Sequence, residues 1–520
     1  MLMSKSAFLR PVAISQPNKL SCDHEKSKSN QFLVTNENRK TLTRFGKNHN
    51  KTTRADALNN IYNAAIKTKD LEVVPLVREM ANDKKGVGIV KFFRGKNIFI
   101  TGGTGLLGKA LVEKILRSTP VGKIYVLVKA DDQETALDRI TRELINSELF
   151  KCLEEKHGKY YRDFTKKNLI PVVAYVNGER EGVILENPMM MGENRRKETY
   201  ETYPTSSLPR LNISDELNLA SKSGTNSTDC DFTKDMKRLG MERANLYGWQ
   251  NTYQLTKAMG EMVIDETRGD IPVVIIRPTV IESCYKEPIP GWIQGNRMFD
   301  PLICSYGKGQ LPAFMCNPDT PIDIIPLDMV VNATIAAIAK HGCMHTPQLN
   351  VYQIASSVLN PVRFSDMFEY MYKYFSSQPL IESESSTRIS HYDDLITPMK
   401  YFDNFDDLSR YTREEMYRRF GGGNHVEAQK LQKQCKAKII YAQNLSKMYE
   451  FAGFLKARFH SGNTEKLLCE MSKEEKINFD MDATKIEWRK YVKEVHIPGL
   501  RKYVLKENVD KRNLSKQRCN

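Results

Sequence analysis

Asn97-Ile-Phe-Ile-Thr101-Gly-Gly-Thr-Gly-Leu-Leu-Gly108 joins a short apolar run to three glycines spaced G-x-x-G-x-x-G. The run reads as a buried strand, and Leu106 to Leu116 then repeats apolar residues at helical intervals. Ile124 to Val128 is a second apolar strand, and Glu134 to Phe150 a second helix. One βαβ unit of this kind predicts a Rossmann-like α/β fold, a doubly wound parallel sheet with helices on both faces. In that context Gly102 permits a tight turn, Gly105 lets backbone amides approach a phosphate, and Gly108 lets the helix pack on the strand. The helix N-terminus adds partial positive charge. The loop Thr101, Gly102, Gly103, Thr104, Gly105, Leu106, Leu107 and Gly108 is therefore the candidate pyrophosphate site. Strand two ends in Lys129, where a site for NAD usually carries Asp or Glu on the ribose 2′-hydroxyl. A cation there suits a 2′-phosphate and favours NADPH. A solvated surface lysine is the alternative.

Outward from this unit, Ala55 to Met80 has helical spacing, and Leu169 to Val176 is an apolar stretch of strand type. Glu186 to Phe232 is polar and reads as loop. Asp235 to Arg268 is largely helical, and Val273 to Arg277 is a buried strand stopped by Pro278. Ser305 to Pro326 is turn-rich and should line a substrate cleft. Beyond Asn360 the text turns to amphipathic helices with aromatics, to about Lys506. These changes divide the chain into an extension (1–54), a dinucleotide-binding domain with the cleft (55–360), a mostly helical domain (361–506) and a basic tail (507–520). There are no internal repeats.

The net charge of +15 on 520 residues invites a nucleic-acid reading until it is located. Nine Lys/Arg against three Asp/Glu lie within the first fifty residues, and seven against two from Leu500 onward. Little excess remains for the globular part, so nucleic acid is not expected as a partner. No apolar run reaches the length that spans a bilayer, which leaves peripheral membrane contact open. Ten cysteines without CxxC spacing fit reduced thiols, and the sequence calls for no metal. The first fifty residues are rich in Ser, Thr, Asn and cations and poor in acid, as in an organelle-import segment; a basic tail with no address is the alternative.

Tyr253-Gln-Leu-Thr-Lys257 places a phenol one helical turn from an ammonium, just ahead of the strand ending in Arg277-Pro278. A free tyrosine titrates near ~10, and a nearby ammonium favours the phenolate. The pair predicts a proton donor, Tyr253, for carbonyl reduction, with Lys257 also hydrogen-bonding a nicotinamide ribose. A plain helix-face contact has the same spacing.

With these residues in place the chain resembles the plant alcohol-forming fatty acyl-CoA reductases of the male-sterility-protein type, which are similar to extended short-chain dehydrogenases with an added C-terminal domain. The likeness runs through Gly248-Trp-Gln-Asn-Thr-Tyr-Gln-Leu-Thr-Lys-Ala-Met-Gly-Glu261, Ile276-Arg-Pro-Thr-Val-Ile-Glu-Ser283, Pro290-Gly-Trp-Ile-Gln-Gly-Asn296 and His496-Ile-Pro-Gly499. It implies two successive hydride transfers from NADPH, from acyl thioester to aldehyde and from aldehyde to primary alcohol. It further implies cofactor contacts at Pro278 and Thr279. The thioester would be carried on CoA or on acyl carrier protein, and a plastid setting favours the latter. Mitochondrion, cytoplasm and the ER surface are the alternative locations.

The chain departs from that pattern at Ile170-Pro-Val-Val-Ala-Tyr-Val-Asn-Gly178, where the family carries a Val-Ser-Thr-Ala-Tyr-Val-Asn-Gly run whose hydroxyls assist the tyrosine. Text of the third strand runs straight into text of the fifth, so a block of ~50 residues or more is missing at Val173/Ala174. The sheet should be short of strands, with Leu169 to Val173 in the inner place beside the first strand. Turnover should be weak. A nucleotide-sugar epimerase or dehydrogenase shares both motifs, and a non-catalytic nucleotide- or acyl-binding protein would keep them too.

Overall fold

The structure, a computed structural model, describes residues 86–128, 133–165, 182–184, 210–223, 229–344, 347–380, 396–420 and 425–507. The expected helix Ala55 to Met80, the strand Leu169 to Val176 and Lys129 lie outside them.

Alternation decides the first layer. Strand β1 (Asn97–Ile100) buries Ile98 and Ile100, helix α1 (Leu106–Ser118) follows the turn, and strand β2 (Lys123–Val126) buries Ile124. β1 and β2 pair in parallel, Asn97 opposite Lys123 through Ile100 opposite Val126. Helix α1 is buried along most of its length and shares one core with Ile98, Ile100 and Ile124. The second expected helix is broken. Helix α2 (Gln133–Ile140) passes into a π-wound turn over Thr141–Ile145 and a 3₁₀ turn over Glu148–Phe150.

Two polar helices come next, α3 (Ile213–Ser223) and α4 (Asp229–Leu246), followed by α5 (Thr252–Thr267), which carries the Tyr-Lys pair. α3 and the start of α4 fall where the sequence reads as loop. Their reason is tertiary: Glu216 on α3 accepts two hydrogen bonds from Arg243 on α4, at 2.5 and 2.8 Å, and one from Tyr247 at 2.8 Å.

Strand β3 (Val273–Pro278) pairs in parallel with the later strand at Leu349–Ile354, and strand β4 (Val280–Glu282) pairs in parallel with Ile324–Pro326. Helix α6 (Asp300–Gly307) follows β4. Helix α7 (Leu327–Met344) is apolar on nearly every face and lies in the core, as such a helix must. Three shorter pairings complete the strands: Ala313–Met315 with Lys400–Phe402 and Gly182–Ile184 with Ala457–Phe459 in parallel, and Pro321–Ile322 with Val362–Arg363 antiparallel. The architecture is a Rossmann-type α/β fold with parallel pairing and a helix-rich C-terminal part. That part includes helices α8 (Phe364–Phe375), α9 (Phe405–Phe420) and α10 (His425–Gly453).

Among the described residues β1 has one ladder partner, β2, and no hydrogen bonds join that pair to β3. Its outer face is bare: Phe99, Tyr125 and Leu127 are 58%, 52% and 56% exposed. A doubly wound sheet has both faces covered. Among the described residues no element covers that face of the pair.

The C-terminal part closes back on the start of the fold. Glu475 accepts the backbone amides of Val87, Gly88 and Ile89 at 2.7–2.9 Å, and that of Ser472 at 2.9 Å. Burial raises the pKa of this carboxyl, but the four amides outweigh it and hold it below the usual range. Glu475→Gln should cost about 1–3 kcal/mol in urea unfolding at pH 7. Because the folded pKa is depressed, the parent holds this increment above the ordinary glutamate value of roughly 4.3 and loses it as pH falls through the folded value. The gap between parent and variant should therefore close in acid. A gap that stayed constant from pH 7 to 3 would contradict the assignment.

Candidate active site

The turn between β1 and α1 needs glycine at two points. Gly102 has φ +69°, in the left-handed region. A Cβ on Gly108 would stand 2.3 Å from the Gly102 carbonyl oxygen and 2.9 Å from Gly103 Cα. The third glycine thus lets α1 close on the loop backbone rather than on the strand. Gly105 donates its N–H to the Gly102 oxygen at 3.0 Å and N-caps α1 without a side-chain cap. Thr101, Gly102 and Gly105 are exposed, Thr104, Leu106 and Leu107 half-buried, and Gly103 and Gly108 buried. First-turn amides without a capping side chain, beside a narrow exposed loop, fit a pyrophosphate.

Lys109, next after the third glycine, is only 6% exposed. Burial lowers its pKa, with Glu143 opposing and Arg297 adding. No spacing rule marks this lysine in the sequence, and only the fold shows a cation withdrawn one residue beyond the loop.

Asn251 caps α5 by accepting the Gln254 amide at 3.0 Å, and Tyr253 and Lys257 lie on the first turns. Tyr253 is 55% exposed. The Lys257 ammonium sits 5.6 Å from the centroid of its ring, a cation–π contact. Partial burial raises the phenol's pKa. The ammonium thus lies over the ring face of the phenol.

α5 packs with α4 in a second, smaller core of Leu211, Ala244, Tyr247, Trp249, Leu255, Ala258, Met259 and Met262. Its link to the sheet is Glu261, which accepts from Arg277 on β3 at 2.6 and 3.1 Å, both side chains buried. Among the described residues no hydrogen bond or ion pair joins the glycine turn to Tyr253 or Lys257. Pro278 and Thr279 are buried at the end of β3, where the Thr279 amide and hydroxyl both donate to the Ile354 carbonyl, at 3.0 and 3.3 Å. That threonine is engaged in strand register.

A cavity of about 300 Å³ is lined by Lys114, Arg117, Tyr285, Lys286, Asn332 and Asp480, among others. It lies at the C-terminal end of α1, the opposite end from the glycine turn. Its cations are already paired: Lys114 to Glu287 at 2.5 Å, Arg117 to Glu287 at 3.0 Å and Lys286 to Asp480 at 3.0 Å.

An NAD-binding family model described as Male sterility protein matches in two segments, residues 100–173 and 162–334. A second model of the same description matches residues 428–507. The chain is 39% identical to "Fatty acyl-CoA reductase 2, chloroplastic" of Arabidopsis thaliana, over 82% of this chain and 81% of that one. It is 31% identical to "Alcohol-forming fatty acyl-CoA reductase" of Simmondsia chinensis, over 80% of this chain and 99% of that one. Among solved structures, the terminal R domain of the myxalamid biosynthetic pathway is 14% identical with a TM-score of 0.39, over 79% of this chain and 91% of that one.

Gly108→Ala should push the new methyl into the Gly102 carbonyl and spoil the cradle while leaving the core intact. Dinucleotide affinity should fall at least ~10-fold, equivalent to about 1.4 kcal/mol, with the circular dichroism spectrum unchanged. Titration by intrinsic fluorescence reads this directly, and undiminished affinity would show that the dinucleotide does not use the turn.

Proposed function

The chain belongs to the male sterility protein family of fatty acyl-CoA reductases, and from that premise we propose that it reduces a long-chain acyl thioester through the aldehyde to a primary alcohol, with NADPH as reductant. The observation that carries this reading is the glycine cradle, where a left-handed Gly102 and a Gly108 with no room for Cβ leave the α1 N-terminus fit for a nicotinamide dinucleotide. The basic side chain of Lys129 supports the 2′-phosphate form.

The bound nicotinamide supplies hydride to a carbonyl carbon. The chain's own residues handle the proton and the binding. Tyr253 holds its proton through the neutral range and gives it to the oxygen that becomes anionic as the thioester carbonyl is reduced. Collapse of that adduct expels the thiol and leaves the aldehyde, and a second round at the aldehyde carbon yields the alcohol. Lys257, on the same face of α5, orients the ribose.

Slow turnover is part of the proposal. Pro171-Val172-Val173 stands where the family has hydroxyl residues, and the family match splits into two segments that overlap over residues 162–173. The 508 aligned positions with the chloroplastic relative exceed what 82% of a 520-residue chain can fill, so that relative has residues this chain lacks. The same observation favours a second reading, a non-catalytic form that keeps dinucleotide binding.

The acid-poor first fifty residues and the chloroplastic relative support a plastid location, and with it acyl carrier protein as thioester donor. No helix among the described residues is long and apolar enough to cross a membrane. Exposed Ile440, Met448 and Phe451 on α10, spaced along one face, support peripheral contact where the alcohol product would partition.

The test is fatty alcohol formed by the purified chain from long-chain acyl-CoA and acyl carrier protein thioesters, with NADPH or NADH. Alcohol should appear with NADPH, about 10²–10³ slower than from a chain carrying a relative's block between Val173 and Ala174. Tyr253→Phe should abolish it, and Lys129→Asp should erode the preference for NADPH. Stabilisation by NADPH with no alcohol would select the non-catalytic reading, and parent turnover equal to the graft's would remove the defect at the seam.

A further inference from the structure

Three ionisable side chains far apart in sequence converge deep in the fold. Glu282 ends β4, Asp300 opens α6, and His496 ends a π-wound turn over Tyr491–His496, a form of helix that recurs at functional sites. They are 2%, 0% and 2% exposed.

Each is held by its outer atom. The Phe299 amide donates to Glu282 Oε1 at 3.2 Å, the Arg297 amide donates to Asp300 Oδ2 at 3.1 Å, and His496 Nδ1 lies 2.9 Å from Ser283 Oγ. Each leaves its inner atom without a hydrogen bond: Glu282 Oε2, Asp300 Oδ1 and His496 Nε2. Nε2 stands 3.2 Å from Asp300 Oδ1 and 3.6 Å from Glu282 Oε2, and all three atoms lie within 4.8 Å of one another.

The surrounding hydroxyls offer one arrangement that leaves Nε2 unprotonated. Tyr491 donates its hydroxyl to the Ser283 carbonyl at 2.7 Å. The Ser283 hydroxyl can then donate to the Tyr491 oxygen, 3.3 Å away, and accept from His496 Nδ1–H at 2.9 Å. Nε2 then turns a bare lone pair toward two carboxylate oxygens. A proton on Nε2 does not repair this, since an N–H there points along no hydrogen bond to either oxygen. A cation between the three atoms attracts all of them at once.

We propose that Glu282, Asp300 and His496 bind one divalent first-row transition-metal ion of the Zn²⁺ class, which fastens the C-terminal helical run to the sheet. The donor set, one imidazole and two carboxylates, suits zinc. Metal–donor distances of about 2.0–2.2 Å put neighbouring donors of a tetrahedron roughly 3.3–3.6 Å apart, which the two measured separations bracket closely. Two carboxylates and a neutral imidazole exactly offset a charge of +2, as a dry site requires. The Nδ1–H to Ser283 contact is the outer hydrogen bond that metal-bound histidines make. Burial and then the Asp300 charge push the Glu282 carboxyl well above its usual range, against the Phe299 amide. A cation between the two carboxyls would offset that burial cost.

The experiment uses the full chain, stripped with chelator and titrated with Co²⁺ and then Zn²⁺. Expected are a visible Co²⁺ band saturating at one equivalent, its displacement by Zn²⁺, and a melting temperature that falls with chelator and returns with Zn²⁺. The near-isosteric Glu282→Gln and Asp300→Asn should each weaken Co²⁺ binding at least ~100-fold and make melting indifferent to chelator. Ser283→Ala keeps all three ligands and should weaken binding about 10–100-fold while preserving the band, so the proposal stays testable if a ligand variant fails to fold. Absence of a one-equivalent band in the parent, or a band unchanged in all three variants, would overturn the proposal. So would a Glu282→Gln chain that melts higher than a parent indifferent to chelator, the mark of carboxyls that share protons.

Discussion

The buried pair of Arg277 and Glu261 is the constraint that seats α5, and with it Tyr253 and Lys257, on β3. Both side chains are withdrawn from water, and burial raises the Glu261 carboxyl's pKa against the pull of Arg277's hydrogen bonds and charge. Leaving either partner alone costs about 3–5 kcal/mol, so α5 has one favourable seat on β3. Tyr253 lies eight residues earlier on the same helix, about 12 Å along its axis at 1.5 Å per residue. A small tilt at Glu261 is thus a large displacement of the phenol. The second core under α5 steadies the helix against α4 but not against β1, which leaves the ion pair to relate the two halves of the site.

How legible a feature is in the sequence follows from how local its cause is. β1, the glycine turn and α1 are legible because strand, turn and helix are each specified by adjacent residues, and the left-handed Gly102 is a demand made at one position. α3 is not legible: its composition is polar, and what holds it is a carboxylate reaching Arg243 and Tyr247 on another helix. The Tyr-Lys spacing is legible, but the direction of the lysine is not, because i and i+4 fix only that two side chains share a face. Glu282, Asp300 and His496 belong to three separate elements and form no pattern until the chain is folded.

The front of the sheet shows what the seam removes. Phe99, Tyr125 and Leu127 have the alternation of residues meant to be covered, and their sequence keeps that hydrophobicity although no described element covers them. The family match falls into two segments that overlap just before Val173. Hydroxyl assistance to Tyr253 and a wall beside the cofactor would come from the same absent block, so the two losses are coupled rather than additive.

The back of the fold is built on different contacts. Glu475 caps the segment that leads into β1, Asn360 donates to the carbonyls of Ala483 and Ile486, and the Trp488 indole donates to the Asn360 carbonyl. Ser283, at the end of β4, is gripped by Tyr491 and His496. None of these bonds involves residues near Val173. The main core, from Ile98 through α7 to Tyr503, is likewise continuous without a strand on the far side of β1. The contacts that hold the C-terminal part to the start of the fold therefore do not draw on the residues near Val173.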